Sequence, residues 1–475
     1  MNTPVGIRSW GVAIPRRKLA NEATSKAWSR PAMPGSRSIA GHDEDALTLG
    51  VHAAFEAMRD IEPGEVDGII FASTTAPFLE KSSAVIVAEV LGVSMHSRFL
   101  DLGASLGAGT IALATARDLV NAGSCRNVLV VAADTRTPRP GADDEFLYGH
   151  AGAALVVGEG KDAPALIEAY HRQATFQFDA WRRAEDRFFR TGDVRFARMG
   201  AYMKPMQHAL DHVTAEMDWK PEDIGKVVLY SPDIKSGSGF LKKNGFDLKT
   251  QYADFASPVV GLTGAAHTPL MLCAALDRAR EQERVLVLGY GDGADAFALQ
   301  VQSAPPRSSF KDAVKKQFEI SYNHYLRVRG LLPGDGSSDA GFSSEIMEER
   351  NKSLWYGLRA KKCPSCGGVL TLPLRRCPHC ADESGLIDFP LQRTGTVFAV
   401  THEYYFPTPE PPLGMAVVNL DGGGRLTLQV ADENESLVVG DRVELVFRRL
   451  HDAGHRPNYF WKCRKLTGAE DGNGA

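Results

Sequence analysis

A chain of 475 residues is too long for one hydrophobic core and predicts about two to four domains. Its 44% hydrophobic and 24% charged residues are those of a soluble globular protein, and Lys+Arg 54 against Asp+Glu 58 leaves a net charge of -4, with no basic excess to attract nucleic acid. No run reaches the roughly 18 to 20 apolar residues that cross a bilayer, and MNTPVGIRSWG at the start lacks a basic region followed by an apolar stretch, so a cytoplasmic protein without a membrane segment is expected.

Over the first 300 or so residues, β-branched apolar runs alternate with helical patterns, which predicts an α/β layered fold with a mostly parallel sheet. An internal repeat runs through this region. Residues 107–132, GAGTIALATARDLVNAGSCRNVLVVA, match residues 264–289, GAAHTPLMLCAALDRAREQERVLVLG, at a constant offset of 157. The strand before each copy recurs as well, IIFAS at 69–73 against VVLYS at 227–231. Each copy reads as strand, small-residue turn, helix and buried strand, so two similar halves are expected at 1–160 and 161–305.

Residues 306–355 break the pattern. A basic amphipathic stretch, FKDAVKKQFEISYNHYLRVRG, leads into LPGDGSSDAGFSSE, which reads as a helical linker. Next come Cys363-Pro-Ser-Cys366 and Cys377-Pro-His-Cys380, two C-x2-C turns ten residues apart, which fit a structural zinc ion closed by four thiolates within a domain at 356–385. The chain has seven cysteines, an odd total with four clustered, which argues for a metal site in a reducing compartment and against a disulfide framework. His379 reads as a surface residue between ligands, and Cys125 and Cys273 as core. From 386 to 475, the short β-rich segments GTVFAVTHEYYF, GMAVVNL, RLTLQV and VELVFRRL, with Gly and Asp turns between them, predict a small barrel.

Several segments carry a family resemblance: GHDEDALTLGVHAAFEAM, FASTTAPFLEKSSAVIVAEVLG, DLGASLGAGTIALATA, VVLYSPDIKSG, SYNHYLRVRGLLP and GYGDGADAF. In these, residues 1–330 resemble hydroxymethylglutaryl-CoA synthases of the archaeal type and, more distantly, ketoacyl synthase III. From WYGLRAKKCPSCGG onward, residues 355–475 resemble the DUF35 family, a zinc ribbon joined to an OB-fold that partners thiolase-like enzymes. The resemblance implies a duplicated, five-layer αβαβα thiolase fold, then a rubredoxin-like zinc ribbon and an OB-fold barrel. It also implies coenzyme A thioesters as substrates, a homodimer, and possible partnership with other subunits of an acyl-CoA pathway.

Against that family, the expected catalytic residues are replaced. Its Glu falls at Thr74, its nucleophilic Cys at Leu106, its His at Tyr230, and the Asn of its Gly-Asn-Thr turn at Leu262. A thiolate parks the acyl group in Claisen chemistry, and leucine cannot do so. Retro-aldol cleavage needs no covalent intermediate, only a base for the β-hydroxyl and donors for the thioester enolate. The chain also resembles thiolase-like aldolases that lack the cysteine, work with a DUF35 partner and are thought to use tyrosines.

An acyl-CoA aldolase is therefore the first expectation, with Tyr230, Tyr290 and His267 as catalytic candidates. Lys235, which follows the Tyr-Ser-Pro step as a lysine does in the synthases, is the candidate for CoA phosphates. Asp101, read as a cap of the helix that follows it, joins Tyr148, His150 and Asp292 as further candidates; Lys204 and Lys242 read as surface lysines. A synthase-type acyltransferase with Ser105 as nucleophile, and a non-catalytic acyl-CoA-binding scaffold, remain as alternatives.

Overall fold

The computed structural model describes residues 4–303, 309–332, 344–372, 374–432, 436–453 and 456–466. Contacts divide the chain into two compact units. One comprises Met1–Ala40, Asp45–Ala88 and Val93–Tyr325; the other comprises Gly41–Glu44, Glu89–Gly92 and Leu326–Ala475.

In the first unit, the apolar runs of the repeat become a nine-stranded array made of two sheets joined edge to edge. Five of its eight pairings are antiparallel, against the mostly parallel sheet expected, because Ala151–Glu159 and Gly293–Val301 return antiparallel to the strands before them. One sheet has the order Arg98–Leu102, Gly68–Ala72, Asn127–Asp134, Ala151–Glu159, Val5–Ala13; the other has Lys226–Leu229, Arg284–Tyr290, Gly293–Val301, Ala165–Ala174. Two residue pairs, Gly6 with Leu166 and Ile7 with Ala165, join them. The second sheet lacks a counterpart of the edge strand Arg98–Leu102. Its place is reduced to a single bridge between Val227 and Tyr252.

The helices of the repeat, Ala108–Asn121 and His267–Leu276, share one apolar cluster with residues of both sheets. The second of them is buried along its whole length, as expected of a helix with no polar face. Ala46–Ala57 packs on the outside of the first sheet and Lys204–Met217 on the outside of the second, completing the α-β-α-β-α layering.

The stretch expected to be a linker is partly absorbed into this unit. Phe310, on helix Ser309–Lys315, belongs to the core, and Phe318–Glu319 pairs in parallel with Arg17–Lys18. An amphipathic pattern and a lone β pair give no local sign of whether their apolar face is covered. The Gly/Ser/Asp-rich part of the linker, 333–343, lies outside the described residues.

Within the second unit, Val369–Leu370, Arg359–Lys362 and Ile387–Pro390 form a small antiparallel sheet that carries the cysteines. A five-stranded sheet follows, in the order Arg425–Gln429, Leu413–Leu420, Thr394–Glu403, Arg442–Ala453, Arg456–Lys465. Along Leu413–Leu420 nearly every second residue is buried, the period of a strand with one face on a core. A bridge between Val430 and Cys463 brings the outer strands together and closes the barrel. Its last strand is absent from the sequence reading, because Pro457, Asn458 and the basic residues of RPNYFWKCRK obscure the alternation of Tyr459, Trp461 and Cys463 that faces inward.

Candidate active site

The C-terminal ends of the parallel strands in the first unit converge, as they do where open α/β sheets bind ligands. Leu106 follows Arg98–Leu102, Tyr230 follows Lys226–Leu229, and Tyr290 ends Arg284–Tyr290. All three line a cavity of about 620 Å³, together with Tyr148, Asp179 and Leu262. Strand alternation explains how Tyr290 reaches it. Leu286, Leu288 and Tyr290 pack on one face of their strand, and Val285 and Val287 on the other.

Gly291 makes the convergence possible. Its φ of 151° lies outside the range that other residues favour, and a Cβ there would stand 2.0 Å from the backbone nitrogen of Gly107. The end of the second-half strand can therefore touch the start of the first-half helix.

The phenols are packed and oriented. Tyr230 is 2% exposed and Tyr290 4% exposed, with ring centroids 5.6 Å apart. Tyr290 donates its hydroxyl to the Asp179 carboxylate. Burial, and for Tyr290 also the charge of Asp179, pushes both phenols above the ordinary tyrosine value. Tyr148 is raised too, by burial, against the opposing charge of Arg136. All three are thus neutral donors near pH 7.

His267 is brought to the same place but sits behind the wall. Its ring meets the Tyr230 ring edge to face at 4.8 Å, it is fully buried, and it is not among the residues lining the cavity. Burial lowers its pKa to about 4, so the imidazole is neutral.

Lys235 lies exposed on the first turn of helix Ile234–Lys243, just beyond Pro232 and Asp233, which do line the cavity. Lys204 and Lys242 are exposed as well. His150 is buried elsewhere: its Nδ1 accepts from the backbone of Ala40 at 2.8 Å, leaving Nε2 to donate to the carbonyl of Arg136. Asp101 caps a helix, but the preceding one rather than the following one, accepting from Ser82 Oγ and the backbone nitrogens of Ser83 and Ala84. The groups it caps lie upstream in sequence, so position alone pointed the wrong way.

A second, smaller pocket of about 100 Å³ shares Leu106, Asp179, Ala180 and Phe189 with the cavity and adds Ser105, Arg136, Arg182 and Asp292 to its wall. Ser105 Oγ accepts from the Gly107 backbone nitrogen at 3.1 Å. Above the Arg136 guanidinium lie the rings of Phe189, at 4.4 Å, and Tyr148, at 5.1 Å.

Behind this pocket, Asp134 ties the halves together. Its buried carboxylate accepts from the hydroxyls of Ser73, Thr74 and Thr75, from the backbone nitrogens of Thr74 and Thr75, and, across to the second half, from the backbone nitrogen of Ala265 at 2.7 Å. The sequence reading missed Asp134, Arg136 and Asp179. An acid closing the apolar strand NVLVVAAD was a usable signal for Asp134. Nothing in the irregular stretch TFQFDAW singles out Asp179.

In the second unit, the sulfurs of Cys363, Cys366, Cys377 and Cys380 all lie within 4.8 Å of one another, as four ligands of one tetrahedral ion would. Each C-x2-C pair sits on a tight turn: Gly367 N donates to Cys363 O and Ala381 N to Cys377 O, with Gly367 and Ala381 at positive φ. His379 is exposed and outside the set. Cys125, Cys273 and Cys463 are buried elsewhere. No helix among the described residues is long and apolar enough to cross a membrane.

Comparison with known proteins agrees with this architecture. Residues 100–174 match the family described as 3-oxoacyl-[acyl-carrier-protein] synthase III, and residues 389–448 match the C-terminal OB-fold domain of ChsH2. Among solved structures, a hydroxymethylglutaryl-CoA synthase complexed with CoA superposes with a TM-score of 0.63 at 18% identity, over 72% of this chain and 94% of that one. Xanthomonas campestris OleA with bound lauric acid and lauroyl-CoA gives 0.55 at 19% identity, over 64% and 100%. The hydroxymethylglutaryl-CoA synthase of Pyrococcus furiosus is 30% identical over 336 residues, covering 68% of this chain and 96% of the relative. That of Thermococcus sibiricus is 31% identical over 339 residues, covering 69% and 96%. The chain belongs to the hydroxymethylglutaryl-CoA synthase family of thiolase-fold proteins, with a four-cysteine cluster and an OB-fold domain at its C-terminal end.

Proposed function

We propose that this protein makes or breaks a carbon–carbon bond in an acyl-CoA by aldol chemistry, without parking the acyl group on the enzyme. The observation that carries this reading is the pairing of Tyr290 with Asp179 beside Tyr230, on a cavity wall where Leu106 leaves nothing to acylate.

In the cleavage direction, the β-hydroxyl of the substrate gives its proton to the Tyr290 oxygen as the Tyr290 proton moves to Asp179. The Cα–Cβ bond breaks, its electron pair passes into the thioester enolate, and a carbonyl compound departs. Tyr230 donates to the thioester oxygen while that charge develops, a task suited to a phenol whose raised pKa keeps it protonated. The proton left on Asp179 returns to Tyr290, which passes its own to Cα, releasing the shorter acyl-CoA and restoring both groups. His267 serves this scheme as the neutral ring that braces Tyr230.

The synthase-type alternative needs a base beside Ser105. The contact that its hydroxyl makes is with a backbone nitrogen, and the His267 ring nitrogens meet Ser257 Oγ and the Thr263 backbone nitrogen instead. The test is to incubate the full chain with a panel of 3-hydroxyacyl-CoA thioesters and follow shorter acyl-CoA and free carbonyl product together. Their stoichiometric appearance supports the aldolase, and release of free CoA without carbonyl product contradicts it.

The cysteine cluster is proposed to hold one structural zinc, with all four positions taken by thiolates and none left for substrate. Metal analysis of purified protein should give one zinc per chain, falling to none in Cys363→Ser. We also propose that two copies pair through the first unit. Its edge strand Arg98–Leu102 pairs on one side only and is largely exposed, which leaves backbone groups for a second chain to cover, and sedimentation at micromolar concentration should show a dimer.

A further inference from the structure

Arg136 is an unusual group to find beside a reaction centre. It is 7% exposed, it forms part of the wall of the 100 Å³ pocket, and its Nη1 is buried with no hydrogen-bond partner among the described residues. A buried guanidinium normally has a carboxylate beside it, because an unpaired buried charge is costly. Here the rings of Phe189 and Tyr148 cover it, the Tyr148 hydroxyl takes a hydrogen bond from it, and the charge of the half-buried Asp144 acts on it, yet no carboxylate reaches Nη1.

The two acids in the same wall are otherwise placed: Asp179 accepts from Tyr290, and Asp292 is exposed to solvent. Arg182 adds a second guanidinium, anchored by its bond to the Thr74 carbonyl at 2.9 Å. The pocket has room for a few waters, or for one carboxylate and the carbon that bears it. Its wall shares Leu106, Asp179, Ala180 and Phe189 with the cavity that holds the tyrosines.

We infer that this pocket is a carboxylate subsite, with Arg136 as its fork, so that one of the reacting partners carries a carboxylate close to the bond being made or broken. This rests on the acyl-CoA reading above and narrows it to substrates with an acid group. The carboxylate belongs either to the acyl chain of the thioester or to the separate carbonyl fragment, in which case that fragment is a keto acid. A planar two-donor cation matches either one and distinguishes both from an uncharged group of the same size.

Isothermal titration of the zinc-loaded full chain tests the inference with three probes. Glutaryl-CoA is compared with pentanoyl-CoA, which has the same chain length without the charge, and pyruvate is titrated in the presence of propionyl-CoA. If the acyl chain carries the acid, glutaryl-CoA binds at least about tenfold more tightly than pentanoyl-CoA. If the carbonyl fragment carries it, pyruvate gives a saturable signal. In either case Arg136→Gln abolishes the effect and Arg136→Lys restores part of it, since the charge returns without the fork. The lysine variant also guards against a folding defect in the glutamine one.

The inference is overturned if pentanoyl-CoA binds and neither anionic probe gains over it, or if a gain survives both substitutions. Failure of pentanoyl-CoA to bind at all contradicts the acyl-CoA reading instead, and the pyruvate titration then decides the carboxylate subsite by itself.

Discussion

At the ends of the repeated strands, the first half carries Ala72 and Ala133 where the second half carries Tyr230 and Tyr290. The alanines are fully buried and leave space, and the acid that follows Ala133, Asp134, spends its carboxylate on six donors. The tyrosines line the cavity, and the residue after Tyr290 is the glycine that lets the halves touch. A duplicated scaffold has thus divided its labour. One copy fixes the backbone around the site, and the other supplies the polar groups proposed for chemistry.

The division is broken most severely at Asp134. Asp134→Ala takes the acceptor from the buried Ser73 hydroxyl and Ala265 backbone nitrogen, each costing about 1–3 kcal/mol, and from the half-buried Thr74 and Thr75 groups, so we expect loss of soluble, folded protein, checked by yield and circular dichroism. Tyr290→Phe and Tyr230→Phe each remove one hydroxyl and little volume. They should leave the melting temperature nearly unchanged and lower turnover roughly a hundredfold or more, measured with whichever 3-hydroxyacyl-CoA proves to be a substrate.

His267 sharpens the comparison through pH. Its folded pKa of about 4 lies below the ordinary 6.5, so the unfolded chain takes up a proton in that window and the folded chain does not. Stability therefore falls as pH drops from 6.5 towards 4, by on the order of 3 kcal/mol from this group. Denaturant melts of His267→Gln should show a shallower acid slope than the parent. The smallest effect belongs to the first-half turn: Ser105→Ala removes one hydrogen bond and should cost no more than about tenfold in turnover.

Much of this was legible in the sequence, and for physical reasons. The duplication was visible because buried strands and buried helices tolerate few residue types, so the two copies still resemble each other. The cysteine spacing was legible because two C-x2-C turns are enough to bring four sulfurs within 4.8 Å of one another. Tyr230 and Tyr290 could be placed by their position after apolar strands. His267 was correctly placed near them, but sequence cannot tell a side chain in a cavity wall from one behind it, since both lie at the start of the same helix. Asp179 and Arg136 escaped notice for the opposite reason. Their partners, Tyr290, Tyr148 and Phe189, come from separate stretches of chain, and no local pattern records such a meeting.

The central claim is that the bond is made or broken while the enzyme itself stays unmodified, and intact-protein mass measured during turnover tests it most directly. With a 3-hydroxyacyl-CoA being cleaved to a shorter acyl-CoA and a carbonyl compound, the protein mass should remain that of the unmodified chain at every quench time. An added acyl mass that forms and decays at the rate of turnover, and maps to Ser105, would contradict the account.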